Sequence, residues 1–499
     1  MRRSEERELK LGAPPTFHLP SFDEGDGVVG VAHEAQRLQT LYVDTDDLAL
    51  TRWGVSLRHR KGEGWTLKLP SEGAGDLLAR TELTFEGDAR RPPPEVVELI
   101  RAYVRTATLE PQVRLRTLRR RLDLQDTDGE VVVRLFDDEV SVLDGRRIAA
   151  RFRELEAETT DATPDGVLSR VVKRLRDEGA GEPDPTPKVV RALGPRAEEP
   201  PDVETARLGS DPTAGDVVRS ALAEAVSRLI RHDVVVRLDT DPEGVHQARV
   251  ATRRLRSHLR TFAPLLSTDW ARELRDELGW LAGVLGRKRD ADVMLERIRT
   301  RATSLSEQSA HGVTRVLAAV EHERKAASDE LEEAMRSDRY LSLLDRLVAA
   351  ARDPALVGDA AAPAKEVLPG LVRRPWRSLA KAAKAVGDPP LDDVLLAVRI
   401  RTKRCRYAAE AATPVLGKRA RAFASDAAKL QEVLGDFNDA AVAEGWLRDW
   451  SARARARDAI FAAGELAGLE RAVGDEGRAG WRKAWKRLSR SPQAWMRAA

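Results

Sequence analysis

Cysteine is nearly absent from this chain. Cys405 is the only one in 499 residues, which excludes an intramolecular disulfide and suits a reducing compartment. Aromatic side chains are scarce, at 5%, so a surface that reads bases by stacking has little to work with. No apolar run approaches the ~18 residues that a membrane span needs. The N-terminus is charged from Arg2 onward and lacks the apolar stretch of a secretion signal. A soluble, cytoplasmic protein with no membrane partner is the expectation. A dominant charge is missing too: 84 Lys and Arg oppose 81 Asp and Glu, for a formal +3. Net charge therefore names no partner, and any electrostatic signal has to be local.

Charged residues are nonetheless abundant, at 33% against 42% hydrophobic, and the length asks for two or three domains. Two patterns divide the chain. Up to about residue 160, short turn-bounded runs read as strands: LYVDT (41–45), VSLRHR (55–60), WTLKLP (65–70), RTELTF (80–85), QVRLR (112–116), EVVVRLF (130–136) and RELEAE (153–158). A helix with prolines at its start is expected over 92–105, and an amphipathic one over 163–179. Residues 179–212 carry seven prolines, from Pro183 to Pro212, and read as a semi-rigid linker. From 213 to about 490 the pattern is helical. The expected domains are thus 1–178, a linker over 179–212, and 213–490 with halves at about 213–352 and 371–490.

Strand parity sorts the charges. In EERELK, Glu6, Glu8 and Lys10 share one face, with Leu9 and Leu11 on the other. Arg58 with Arg60, Lys68 with Thr66, Glu82 with Arg80, Arg114 with Arg116, and Glu154 with Glu156 and Glu158 likewise oppose apolar neighbours. A half-solvated antiparallel sheet explains any one of these strands. A barrel with a charged interior explains them together, because glutamates dominate the first and last strands and basic residues the middle ones. Such a channel suits an oligophosphate, whose oxygens match the arginine fork. Carboxylates on the same wall would repel it unless Mg²⁺ or Mn²⁺ bridged them to phosphate. Acids beside bases in one barrel thus predict metal-assisted phosphoryl chemistry.

These blocks resemble a known family. ERELK is similar to the ExExK signature of the CYTH superfamily, the triphosphate tunnel metalloenzymes, and YVDTDDLALTRWGVSLRHR, WTLKLP, RTEL, VRLR, LFDDEV and ELEAE follow in that family's order over about residues 3–175. The resemblance implies an eight-stranded antiparallel tunnel that binds, and often hydrolyses, triphosphates with Mg²⁺ or Mn²⁺. It also implies that Glu6, Glu8, Glu154 and Glu156, with Glu158 and Asp137, hold metal, and that Lys10, Arg58, Arg60, Lys68, Arg114 and Arg116 hold phosphate. Glu6, Glu8 and Lys10 would be the catalytic group, with Glu82 orienting the cations. Asp137 fits the family's order, but its parity disagrees with that of Arg134.

The helical half repeats itself. VHQARVATRRLR (245–256) aligns with LLAVRIRTKRCR (395–406), and LAGVLGRKRDADV (281–293) with LQEVLGDFNDAAV (430–442). Two blocks at nearly one offset imply an internal duplication, best met by two related helical bundles. In the first copy Ala248, Thr252, Leu255, Leu259 and Phe262 form an apolar seam, beside a stripe of His246, Arg249, Arg253, Arg256 and Arg260. No acid lies between Glu243 and Asp269 to pair with that stripe. The second copy carries Arg399, Lys403 and Arg406, with Arg401 and Arg404. Two basic helices suggest a polyanion groove, and with few aromatics beside them a polyanion without bases fits better than nucleic acid.

These blocks resemble the CHAD domain, the conserved histidine α-helical domain, over about 213–490. That resemblance implies two pseudosymmetric four-helix bundles and inorganic polyphosphate binding through His246, Arg249, Arg253, Arg256, Arg260, Arg399, Lys403, Arg404 and Arg406. Leu396 stands where the second half usually has a histidine, and His246 could equally be a core histidine. Asp290, Asp292, Asn438 and Asp439 are expected to pair with arginines. The overall expectation is an α+β multidomain chain, a metal-dependent hydrolase of triphosphate or short polyphosphate tethered to a polyphosphate-binding module. It would be cytoplasmic and associated with polyphosphate granules. The alternatives are a polyphosphate-binding protein without catalysis, or a nucleic-acid-binding regulator.

Overall fold

The computed structural model describes residues 1–23, 27–70, 78–205, 207–490 and 496. The chain divides into two compact units, Met1–Asp202 and Val203–Ala499.

The first unit is a closed antiparallel barrel. Its strands are β1 (Arg2–Gly12), β2 (Val29–Ala32), β3 (Gln36–Asp44), β4 (Ser56–Arg60), β5 (Gly64–Pro70), β6 (Leu78–Phe85), β7 (Glu110–Gln125), β8 (Val131–Asp144) and β9 (Arg147–Thr159). Eight of them form the ring β7-β3-β4-β5-β6-β1-β9-β8, which closes by pairing β7 with β8; β2 adds a short edge on the far end of β7. Closure removes the exposed edges that an open sheet would have to protect.

The register settles the parity question raised by EERELK. Leu67 pairs with Leu57 on one side and Leu83 on the other, all three buried on the outer face, while Lys68 and Glu82 pair on the inner one. Glu8 pairs with Glu158 and Lys10 with Glu156, both inward, whereas Leu11 pairs with Leu155 on the outside. The apolar core is therefore a layer outside the barrel. Short helices α1 (Ala49–Arg52), α2 (Pro94–Leu99) and α3 (Arg101–Val104) belong to this unit. The single helix expected over 92–105 is broken at Ile100, whose backbone leaves helical geometry (φ −96°, ψ 6°). Helix α4 (Val167–Asp177) presents Val167, Val171 and Leu175, at i, i+4 and i+8, to Leu11, Leu135, Leu155 and Ala157. Burying such side chains is worth about 1.5–3 kcal/mol each, so the helix holds the outer face and the lumen is left free for charge.

The stretch read as a linker over 179–212 is largely part of the barrel unit. Gly181 donates to the Gly12 carbonyl and Asp184 to that of Lys10. Helix α5 (Lys188–Leu193) buries Lys188 and Val189, and the barrel unit runs on to Asp202. Prolines disfavour regular structure, but extended chain can still dock on a surface through its remaining donors. Ala206 lies outside the described residues.

The second unit is helical: α6 (Ala214–Leu238), α7 (Pro242–Thr261), α8 (Thr268–Ala302), α9 (Ala310–Arg336), α10 (Asp338–Arg352), α11 (Ala364–Lys384), α12 (Asp392–Ser451) and α13 (Arg457–Arg490). Helix α12 is two limbs joined at Gly417, whose φ of 64° and ψ of −142° suit glycine. The duplication is visible in space. Helices α6 to α9 correspond to α11, the two limbs of α12, and α13, with α10 left over. Equivalent helices touch: α6 meets α11, α7 meets α12 and α9 meets α13. Thr213 and Pro363, equivalent at an offset of 150 (363 − 213), form an antiparallel bridge. Around it Ala214 N–H donates to the Ala362 carbonyl and Ala364 N–H to that of Pro212, both at 2.9 Å. Those two bonds exchange under the same offset, so a pseudo-twofold axis passes between them. Among the described residues no helix is long and apolar enough to cross a membrane.

Candidate functional site

The barrel encloses a cavity of about 200 Å³. One wall is basic: Arg58 and Arg60 from β4, Lys68 from β5, Arg80 from β6 and Arg119 from β7. The facing wall carries Glu6 and Glu8 from β1 and Glu156 and Glu158 from β9. Burial alone would raise the Tyr42 phenol, yet Arg58, Lys188, Lys68 and Arg60 around it hold it below its ordinary value, a measure of how positive that side is.

The acids fall into two groups. Glu154, Glu156 and Asp138 are already neutralised. Lys10 Nζ lies 2.6 Å from Glu156, 3.2 Å from Glu8 and 3.8 Å from Glu154. Lys188 Nζ lies 2.6 Å from Glu156, 2.8 Å from Glu154 and 2.9 Å from Asp138. Arg119 adds bonds to Asp138 at 2.6 Å and Glu156 at 2.7 Å. Burial would push Glu156 up, but these three cations hold it well below the carboxylate range.

Glu6, Glu8 and Glu158 form the second group, with one oxygen of each lying within 4.8 Å of the others. Burial raises Glu158 to about 8, helped by repulsion from Glu6, Glu156 and Glu8. Burial also raises Glu8 to about 7, with Glu156 adding to the effect and Lys10 opposing it. Glu6 goes the other way: burial works against ionisation, but Lys68 at 2.6 Å outweighs it and brings Glu6 to about 2. Glu8 Oε2 is buried without a hydrogen-bond partner. Three converging carboxylates, an unsatisfied buried oxygen and an all-oxygen donor set fit a hard divalent cation such as Mg²⁺ or Mn²⁺. Lys68 Nζ also contacts Glu82, which reaches Arg58 at 3.9 Å.

Several sequence expectations need correcting. Arg114 and Arg116 point outward and are exposed, opposite Leu143 and Ser141 of β8. Their neighbours Val113 and Leu115 point inward, where they pack with Tyr42, Val140, Val142 and Val189. One end of the tunnel is therefore an apolar plug closed by α5, and the rule that apolar means outside fails there. Asp137 also faces out, bonded to Arg153 at 2.8 Å and Arg120 at 3.2 Å; its parity, not its place in the family's order, is decisive. Glu154 and Glu156 lie in the tunnel but are occupied by lysine and arginine, which separates them from the three-carboxylate group. Lys10 likewise sits among the acids rather than on the basic wall. Sequence reasoning passed over Arg119, Asp138 and Lys188, and put Arg80 on the charged face with Glu82 without giving it a role. Arg119 follows from continuing the TLRRR parity past a core-facing Leu115. No pattern in the proline-rich stretch singles out Lys188.

In the helical unit, Arg249 and Arg253 of α7 meet Arg399 and Lys403 of α12 across the pseudo-twofold. Burial lowers Lys403 to about 7, and Arg399, Arg253 and Arg249 add to the effect. Asp290 bonds Arg249 at 2.8 Å and Asp439 lies 3.6 Å from Arg399, at equivalent positions. Asp292 is held by Lys288 and Arg324, and Asn438 donates to Asp439. His246 is half-buried, its pKa lowered by burial and by Arg289. Arg256, Arg260 and Arg404 form a separate group with Arg275. Arg406 belongs to neither, because it bonds Glu410 at 2.6 Å. The single cationic row expected from the sequence is thus two groups and a paired arginine.

Comparison with known proteins matches the CYTH domain over residues 5–179 and the CHAD domain over residues 220–448. An uncharacterized protein of Mycobacterium tuberculosis is 33% identical over 464 residues, 88% of this chain and 87% of its own length. Among solved structures, the CHAD domain from the plant Ricinus communis shares 26% identity over 58% of this chain and 96% of its own, with a TM-score of 0.49. PptA from Streptomyces chartreusis shares 24% over 55% of this chain and 99% of its own, with a TM-score of 0.47.

Proposed function

The chain belongs to the family of proteins that join a CYTH domain to a CHAD domain, and on that footing we propose that it is a metal-dependent hydrolase of inorganic triphosphate or short polyphosphate. Its helical unit would bind longer polyphosphate. The observation that carries this reading is the convergence of Glu6, Glu8 and Glu158 across a closed lumen from an arginine wall. A pure anion binder gains nothing from three repelling carboxylates on the wall of its pocket.

Arg58, Arg60, Arg80 and Arg119 would take the phosphate oxygens, two per guanidinium fork. Glu6, Glu8 and Glu158 would hold Mg²⁺ or Mn²⁺, which offsets their mutual repulsion and draws electron density from phosphate oxygens. Lys68, bridging Glu6 and Glu82, sets the boundary between the two walls. The plug of Tyr42, Val113, Leu115 and Val189 leaves the opposite mouth for entry, so a chain would thread end first. A lumen of about 200 Å³ has room for a few phosphates rather than a long chain. Holding a polyphosphate binder on the same polypeptide raises the local concentration of chain ends. A cytoplasmic site of action beside polyphosphate stores belongs to the same proposal.

Phosphate release from tripolyphosphate, ATP and thiamine triphosphate, each with Mg²⁺ or Mn²⁺, tests the reading. Turnover of at least one substrate is expected, and Glu6→Gln with Glu8→Gln should abolish it while polyphosphate binding persists. Metal-independent turnover, or full activity in that double variant, would overturn the assignment. Binding without any turnover would leave the tunnel a receptor only.

A further inference from the structure

The two basic groups of the helical unit differ in a way that the duplication exposes. The first, Arg249, Arg253, Arg399 and Lys403, is symmetric, each residue matched by its equivalent 150 positions on. The second is not. Arg260, Arg374, Arg401 and Arg404 line a cavity of about 220 Å³ with Ser257 and Thr261. None of these four arginines has an acidic partner among the described residues. Burial lowers Arg260 to about 10, with Arg404, Arg275 and Arg256 contributing and no acid among the principal influences.

Its symmetry mate is neutralised by acids. Adding or subtracting 150 turns Arg374 into Glu224, Arg260 into Glu410, Arg404 into Arg254, and Ser257 into Tyr407. In that mate Arg254 bonds Glu224 at 3.2 Å and Glu410 at 2.9 Å, and Arg406 bonds Glu410 at 2.6 Å. The buried Tyr407 ring lies beside them, 5.7 Å from the Arg254 guanidinium and 5.8 Å from that of Arg406. Two glutamates thus neutralise the arginines of one copy, and a tyrosine packs against them. In the other copy, arginines stand where the glutamates were and serine stands where the tyrosine was. Ser257 is only 6% exposed, and its Oγ has no hydrogen-bond partner among the described residues. A buried hydroxyl left unsatisfied costs about 1–3 kcal/mol, and here it sits in a cavity rimmed by unpaired cations.

We infer that this cavity is a second anion site, separate from the central basic surface, built for a compact phosphoanion such as pyrophosphate or the end of a polyphosphate chain. At about 220 Å³ it falls below the roughly 300–1,000 Å³ of pockets that take drug-sized ligands, which favours an inorganic anion over a nucleotide. The guanidinium groups supply charge and paired donors, and Ser257 Oγ supplies a donor at the base. The inference rests on the helical unit being a phosphate-chain binder, and it adds an end pocket beside the central track.

Calorimetric titration of the full chain with inorganic pyrophosphate and, separately, with long-chain polyphosphate, both free of divalent metal, tests this. Arg260→Glu with Arg374→Glu rebuilds the mate's ion pairs, so the fold should survive with an unchanged or higher Tm. This variant should bind one pyrophosphate fewer than the wild type. Ser257→Tyr, which fills the cavity without changing its charge, should do the same. Arg249→Glu with Lys403→Glu should weaken polyphosphate at least tenfold yet keep the extra pyrophosphate. A tenfold loss of long-chain affinity in the rebuilt variant identifies the chain end as the ligand; no such loss identifies a free phosphoanion. Unchanged pyrophosphate stoichiometry in both pocket variants overturns the inference while leaving polyphosphate binding intact. Long-chain binding indifferent to every one of these variants overturns the underlying reading instead.

Discussion

Lys403 offers a quantitative test of the central basic surface. Burial together with Arg399 on its own helix and Arg249 and Arg253 on α7 brings its pKa to about 7, only partly relieved by Asp439. At pH 8 roughly one molecule in ten therefore carries the proton, since each pH unit is a factor of ten. A polyanion laid across these residues reverses the sign of the local field and restores the ammonium toward its ordinary value of 10.5. Binding at pH 8 should then take up about 0.9 proton at this site. Because the bound state holds the extra proton, affinity should fall as pH rises, by about eightfold between pH 7.5 and 8.5. Internal phosphates of the chain are ionised throughout this range, and proton uptake at the chain ends is common to wild type and Lys403→Arg, so comparing the two cancels it. Titration calorimetry of polyphosphate in buffers of different ionisation enthalpy reads the proton count from the slope. Lys403→Arg keeps the charge but cannot titrate, so it should bind well, lose the 0.9-proton difference and flatten the pH profile. Equal proton uptake in wild type and Lys403→Arg would refute the reasoning.

The tunnel supplies further tests. Arg119→Gln should lower kcat/KM for tripolyphosphate by at least tenfold, whereas Arg116→Gln, on the outer face, should leave it unchanged; the reverse order would restore the sequence-based assignment. Lys188→Met leaves Asp138, Glu154 and Glu156 with one cation fewer in a buried site, and removing one partner of such a group costs about 3–5 kcal/mol. A Tm within a degree of the wild type at pH 7.5 would show that Lys10 and Arg119 suffice.

The sequence was legible wherever a local period carried the information. The period-2 alternation around Glu6, Lys68 and Glu156 gave the inward faces, and the repeated arginine helix gave the pseudo-twofold, because both depend on backbone geometry alone. It was illegible where a distant element changed the meaning of a residue. Val113 and Leu115 face the lumen only because α5 returns to plug it, which turned Arg114 and Arg116 outward. Lys188 reaches the acids from a stretch whose prolines signal irregular chain and nothing more. In the helical half, Arg260 and Arg406 both read as members of a basic stripe, one in each copy; Glu410, four residues on, takes Arg406, whereas no acid among the described residues reaches Arg260, and that contrast rests on which helices pack beside it.

The exchanged hydrogen bonds between Pro212–Ala214 and Ala362–Ala364 give the helical unit the seam of a twofold dimer carried on one polypeptide. In an assembly of two identical chains, any residue appears on both sides of the axis, so opening one cavity opens both, and sealing one seals both. Fusion lifts that restriction. Glu224 and Arg374 can differ because each is encoded once, and one half is free to become scaffold while the other specialises. The covalent joining of the copies is therefore what permits an asymmetric device inside a symmetric frame.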